Sequence, residues 1–195
     1  MDALTLLKAD HQAVAAKFTR YEALGERALK AKATIVAEVV RALSVHTAIE
    51  EELFYPAVRA RMADQEDLLL EALEEHHVVK WTLAELDGMS PDEERFNAKF
   101  TVLMESIRHH VKEEERDLFP KVRKAFTRKE LADLGEAMSK AKSRVPKKPH
   151  PRSPDTPPMN TLVSSLAGPI DNALNSAHTF SEAAVRKLRS AVTSR

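Results

Sequence analysis

Two stretches of the chain hold residue types that could do chemistry. Leu43 to Pro56 contains His46-x-x-x-Glu50, followed by Glu51, Glu52, Leu53, Phe54, Tyr55 and Pro56. Ile107 to Pro120 repeats it, with His110-x-x-x-Glu114, Glu115, Leu118, Phe119 and Pro120. The copies align without a gap, His46 on His110, Glu50 on Glu114 and Pro56 on Pro120. A His and a Glu four residues apart on a helix lie one above the other on one face. Two such faces turned toward each other present four metal-ligand groups.

Two more histidines extend the set. Asp10-His11 matches Glu75-His76, Val14 matches Val79 and Phe18 matches Leu83, so the chain reads as a duplicated helical hairpin. A buried carboxylate without a partner is costly, and a buried neutral imidazole still needs its ring nitrogens satisfied. One or two cations at the centre would meet both needs. Imidazoles and carboxylates without thiolates suit iron, manganese or zinc. His11, His46, His76 and His110 with Glu50 and Glu114 fit two ions, the carboxylates bridging them. A lone His-x-x-x-Glu is common on helix surfaces; two aligned copies with two further stripe histidines are not. His76 is preferred to His77 because Glu75-His76 matches Asp10-His11, which leaves His77 as a supporting or surface residue; His109 reads as solvated or interhelical, and His150 and His178 as incidental. Glu51 and Glu115 read as supporting or solvated groups, and Tyr55 and Phe119 as core.

The elements that must position these residues follow from apolar periodicity. Leu4, Leu7, His11, Val14, Phe18 and Tyr21 predict a helix over 3–24, with a break at Gly25. A second helix is expected over 27–62, with Pro56 ending or kinking it near Tyr55, and only one of Glu50, Glu51 and Glu52 facing the stripe. The third spans 65–87, with Lys80 nominally on its inner face. Ser90 as N-cap and Pro91 at the first helical position start the fourth, 91–125. Thr127 and Glu130 form a capping-box signature for a shorter helix over 128–142. The expected fold is all-α, an antiparallel up-down four-helix bundle with an extra short helix and a C-terminal tail. A domain over 1–143 is followed by a Pro-rich linker, 144–158, with nothing to bury, and a weakly helical basic tail, 159–195.

Bulk properties narrow the function classes. The 195 residues contain no cysteine, which excludes disulfides, thiolate metal sites and thiol catalysis. The net charge is zero, so no global field argues for nucleic acid. No apolar run approaches the roughly 18 residues of a membrane span. Met1-Asp2-Ala3-Leu4 does not read as a targeting leader. The expectation is a cytoplasmic protein, with a protein partner possible through 159–195.

Over residues 3 to about 125 the pattern resembles the hemerythrin-like, or HHE cation-binding, domain. The resemblance rests on Asp10-His11, His46-x-x-x-Glu50 with Phe54-Tyr55-Pro56, Glu75-His76, and His110-x-x-x-Glu114 with Phe119-Pro120. It implies a non-haem di-iron centre with an oxygen or hydroxide bridge. His11, His46, His76 and His110 would be terminal ligands and Glu50 and Glu114 bridging ones. The implied ligand is a small oxidant, namely dioxygen, peroxide or nitric oxide, and a catalase-like or peroxide-reducing activity is one outcome. Oxygen-carrying members have a second histidine one turn after the third-helix histidine, where this chain has Lys80. They also place the second carboxylate five residues after its histidine, which would be Glu115; the internal repeat favours Glu114. The place Lys80 leaves is open, or filled by Glu51, Glu115, His77, a tyrosine or water. That change favours oxidant reaction, sensing or iron handling over oxygen carriage.

Overall fold

The structure is a computed structural model that describes residues 1–153. Its helices are α1 (Ala3–Glu22), α2 (Leu29–Ile49), α3 (Tyr55–Arg61), α4 (Glu66–Gly88), α5 (Phe96–Glu113), α6 (Phe119–Ala125) and α7 (Arg128–Ala141). There is no strand among the described residues. No described helix is long and apolar enough to cross a membrane. Helix α1 packs on α2, α2 on α4, α4 on α5 and α5 back on α1, which closes a ring of four. The fold is the all-α bundle expected from the periodicity.

The second and fourth long helices are each interrupted. An end or kink near Pro56 is expected in the second, and the interruption of the fourth is the first departure from expectation. Pro56 does not end the helix. A π-helical turn, Glu50–Phe54, joins α2 to α3, and the chain stays helical to Arg61. In it the Tyr55 N–H donates to the Glu50 carbonyl, five residues back. The second copy does the same over Glu114–Leu118, with the Phe119 N–H on the Glu114 carbonyl. Pro56 and Pro120 have no N–H to give and would clash with the carbonyl four residues earlier. The wider turn absorbs that conflict without breaking the helix. It also turns Glu51 inward. Glu50 and Glu51 are both buried, where a regular helix was expected to place only one.

The start of α5 is the second departure. Residues 90–95 form turns, and the helix begins at Phe96 rather than at Pro91. The Glu93 carboxylate does reach back to the Ser90 N–H at 2.6 Å, half of a capping box. The Ser90 hydroxyl is diverted to Asp92 and leaves the cap incomplete. At α7 both halves of the box form, Glu130 on the Thr127 N–H and the Thr127 hydroxyl accepting from the Glu130 N–H.

Helix α7 packs along α1. Gly135 makes that approach possible, because a Cβ there would lie 2.5 Å from the Met1 carbonyl oxygen. The segment after α7 has no helix through residue 153. Contrary to expectation it does bury something: Val145 is 1% exposed and joins the core. The rest of the expected linker, the tail 159–195 and His178 lie outside the described residues.

The apolar core is in two parts. One contains Leu7, Ile49, Phe54, Val58, Leu69, Leu118 and Phe119; the other contains Phe18, Val39, Leu43, Leu83, Phe100 and Leu103. A layer of buried His and Glu separates them. Each fully buried Leu or Phe contributes about 1.5–3 kcal/mol, and this burial above and below offsets the cost of enclosing the polar layer.

Candidate metal centre

All six candidate ligands lie in that layer. His11, His46, His76, His110, Glu50 and Glu114 are each between 0% and 6% exposed. His11 comes from α1, His46 from α2, His76 from α4 and His110 from α5, while Glu50 and Glu114 begin the two π turns. His11, His46, Glu50 and Glu114 form one cluster of potential ligand atoms, and Glu50, His76 and His110 another.

The imidazoles meet in pairs. The His11 and His46 Nε2 atoms are 3.2 Å apart, and so are those of His76 and His110. Each carboxylate touches both pairs. Glu50 Oε2 lies 3.1 Å from His46 Nε2 and 3.5 Å from His76 Nε2. Glu114 Oε2 lies 3.4 Å from His11 Nε2 and 3.7 Å from His110 Nε2.

Behind each imidazole stands a carboxylate on Nδ1. Glu115 Oε1 is 2.9 Å from His11 Nδ1 and Glu51 Oε1 is 3.1 Å from His76 Nδ1. Asp10 Oδ2 is 3.5 Å from His46 Nδ1 and Glu75 Oε2 is 2.7 Å from His110 Nδ1. The pattern obeys the internal repeat: the acid preceding His11 or His76 serves the histidine of the next long helix, His46 or His110, and the acid following Glu50 or Glu114 serves His76 or His11. Sequence reasoning assigned Glu51 and Glu115 a supporting or solvated place but gave Asp10 and Glu75 no role. The signal was present, as an acid directly precedes the histidine in both copies.

This set fits a cation. A carboxylate on Nδ1 holds a proton there and leaves a lone pair on Nε2. Two such lone pairs facing each other at 3.2 Å repel unless something positive lies between them. Burial pushes the His46 imidazole toward its neutral form, and it does so strongly for His76, where His110 adds to the effect. Burial also opposes charging His110, but Glu114 and Glu75 outweigh it. Both oxygens of Glu50 and Oε2 of Glu114 are buried without a hydrogen-bond donor. Burial lifts the Glu50 carboxyl well above its ordinary range, and the neighbouring Glu114 carboxylate lifts it further. An ion in contact with both carboxylates would remove that conflict.

Other groups fall into place around the layer. The Tyr55 hydroxyl donates to Glu114 Oε1 at 2.9 Å and lies 3.4 Å from His76 Nε2. Burial, reinforced by Glu114 and Glu50, keeps that phenol protonated well beyond its ordinary range. Phe119, its counterpart in the repeat, stacks on His11 with ring planes 9° apart. Lys80 is buried, and its Nζ donates to Glu51 Oε2 at 3.0 Å. His77 is exposed and accepts from the Trp81 indole N–H. His109 is on the surface between Glu75 and Glu113, at 3.7 and 3.4 Å.

Fold and site together define a hemerythrin-like, metal-binding helical bundle. The chain belongs to the hemerythrin HHE cation-binding domain family, whose profile matches residues 2–122. A crystal structure of an HHE cation-binding-domain protein from Mycobacterium kansasii superposes with a TM-score of 0.62 at 25% identity, covering 73% of this chain and 85% of that one. An uncharacterized hemerythrin-like protein of Schizosaccharomyces pombe is 28% identical over 130 residues, 66% of this chain and 64% of its own length. A DNA nickase of Nostoc is 25% identical over 108 residues, 55% of this chain and 30% of its own length. The chain thus spans less than two thirds of either curated relative.

Proposed function

We propose that the protein holds two iron ions and binds or reacts with a small oxidant, namely dioxygen, peroxide or nitric oxide. One observation carries this reading: two imidazole pairs face each other across two carboxylates that each reach both pairs. His11 and His46 would hold one ion, His76 and His110 the other, and Glu50 and Glu114 would be shared, as in carboxylate-bridged two-metal bundles. When bound, the iron pair would supply the redox and Lewis-acid chemistry. Manganese or zinc would satisfy the same donor types.

The chain's own residues do the rest. The apolar layers on either side keep bulk water from the centre. Four carboxylates on Nδ1 orient the imidazoles. Tyr55 is the group we assign to the place Lys80 leaves. Glu51 is engaged by His76 and Lys80, Glu115 by His11, and His77 is exposed. The Tyr55 oxygen alone among those candidates points at Glu114 and His76. It can offer an oxygen donor to the second ion or hold a proton beside an incoming ligand.

Metal analysis of the purified protein should find about two ions per chain, with visible absorption that changes on adding peroxide. A folded, metal-free protein unaffected by His46→Ala would end the proposal. Loss of a phenolate-to-iron band in Tyr55→Phe, with metal content retained, would place Tyr55 on the metal; an unchanged spectrum would leave the phenol as a proton donor only. An oxygen electrode with added peroxide separates binding from catalase-like consumption.

A second reading, a sensor acting through the C-terminal segment, is favoured by one observation. Pro146, Lys148, Pro149 and His150 lie over Glu51 and Lys80, around a cavity of only about 40 Å³. The segment leading to the tail thus sits against a group that supports His76. Deleting residues 145–195 should then alter the response to iron or oxygen; an unchanged response and unchanged partners would rule this out.

A further inference from the structure

The internal repeat makes each flank of the centre comparable with the other, and the two flanks differ. The α2/α4 flank is built from Ser44, Thr47, Glu51 and Lys80, all buried. The repeat equivalents on the α5/α1 flank are Arg108, Val111, Glu115 and Ala15, none of them buried. The first flank is filled by the Lys80 side chain and covered by residues 146–153, leaving the cavity of about 40 Å³. The second has a methyl group in place of the lysine stem and opens into a cleft of about 430 Å³.

The floor of that cleft is His11, one of the six candidate ligands. Val14, Phe18 and Ile107 form apolar walls. Its rim carries Lys112, Arg108 paired with Glu22, Arg116 paired with Asp117, and Glu115, which is turned onto His11.

Resting on the metal centre proposed above, we infer that the α1/α5 cleft is the route by which small ligands reach that centre. Ala15 keeps it open. The ligand class is set by the geometry. His11 leaves only a narrow approach at the floor, being 6% exposed, so the molecules that pass it are of a few atoms. The opposite flank offers no such passage, because Lys80 and Glu51 fill it.

The test uses the iron-loaded full chain and azide as an anionic probe, with nitric oxide as a neutral one. Ala15→Phe fills the cleft from an exposed position. It should slow association and dissociation of both probes by about tenfold, equivalent to about 1.4 kcal/mol of added barrier. Equilibrium affinity, iron content and melting temperature should stay unchanged, because a blocked path slows entering and leaving alike. Iron-loaded Ala15→Phe with wild-type rates overturns the route. Wild-type protein that takes up no metal overturns the proposed function instead, and this inference with it, so the two failures are told apart by iron content.

Discussion

The His11/His46 half and the His76/His110 half of the centre are built on one plan and finished differently. Both bring two imidazole Nε2 atoms to 3.2 Å, back each imidazole with a carboxylate, and begin a π turn at the shared Glu. They differ outside the six candidate ligands. The first half has Phe119 stacked on His11 and a cleft beside Ala15. The second has the Tyr55 hydroxyl between His76 and Glu114, and Lys80 closing the flank. The shared parts are those a metal pair needs. On the route proposed above, the differing parts would set which side a ligand approaches and what it meets there. A duplicated scaffold can therefore keep its metal chemistry while its two faces diverge.

The largest expected effect comes from removing what the halves share. Glu50 touches both pairs and has no donor on either oxygen, whereas Glu114 already accepts from Tyr55. Glu50→Gln should reduce metal content from about two ions per chain to one or none. The metal-free protein should at the same time gain about 1–3 kcal/mol, since a buried unpartnered carboxylate is removed. Glu114→Gln should lose metal with a smaller gain. Metal analysis and melting curves on metal-free protein check both. A Glu50→Gln variant with full metal content would show that the halves are not joined through Glu50.

A smaller effect should separate the halves through their supporting acids. Glu75 meets His110 at 2.7 Å, while Asp10 meets His46 at 3.5 Å and is also held by Lys142 at 2.6 Å. Burial works against the Asp10 charge, but His46 and Lys142 outweigh it. Replacing an acid that orients a metal-bound imidazole costs about 10–100-fold in metal affinity. Glu75→Gln should lie at the upper end of that range and Asp10→Asn at the lower, read by competition with a chelator. Equal losses would mean that the two contacts are equivalent once metal is bound.

Much of this was readable in the chain before any coordinates. The helices follow from the apolar stripes, and the residues of the polar layer from histidines occupying stripe positions, with an aligned repeat to check each one. What was not readable depended on local competition. Pro56 signalled an end or a kink and Pro120 was passed over, because periodicity alone does not distinguish a helix end from a π turn. Ser90 matched a cap by type, yet its hydroxyl chose Asp92. Asp10 and Glu75 were taken as part of a repeat signature, because which acid reaches which imidazole depends on helix–helix register. Val145 was missed because one apolar residue in a Pro-rich stretch carries no period.

The smallest effect concerns how the two half-bundles begin. Helix α1 starts at Asp2, whose Oδ1 accepts from the Thr5 N–H at 2.9 Å and whose Oδ2 accepts from Arg123 at 2.9 Å. Its counterpart α4 starts at Gln65 with no side-chain cap. Asp2→Ala should cost about 1 kcal/mol, a fall of roughly 2–4 °C in melting temperature for a chain of this size. Gln65→Ala should cost almost nothing. The Arg123 hydrogen bond outweighs partial burial and holds the Asp2 carboxyl at about 2, below its ordinary 3.8. A depressed carboxyl stabilises the fold in its charged form, so the benefit is complete above 3.8 and disappears as pH falls through about 2. The difference between wild type and Asp2→Ala should therefore be constant from neutral pH down to mild acid and shrink only below that. A difference independent of pH would mean that Asp2 acts through the shape of the chain's start rather than its charge, leaving the two half-bundles alike in how they begin.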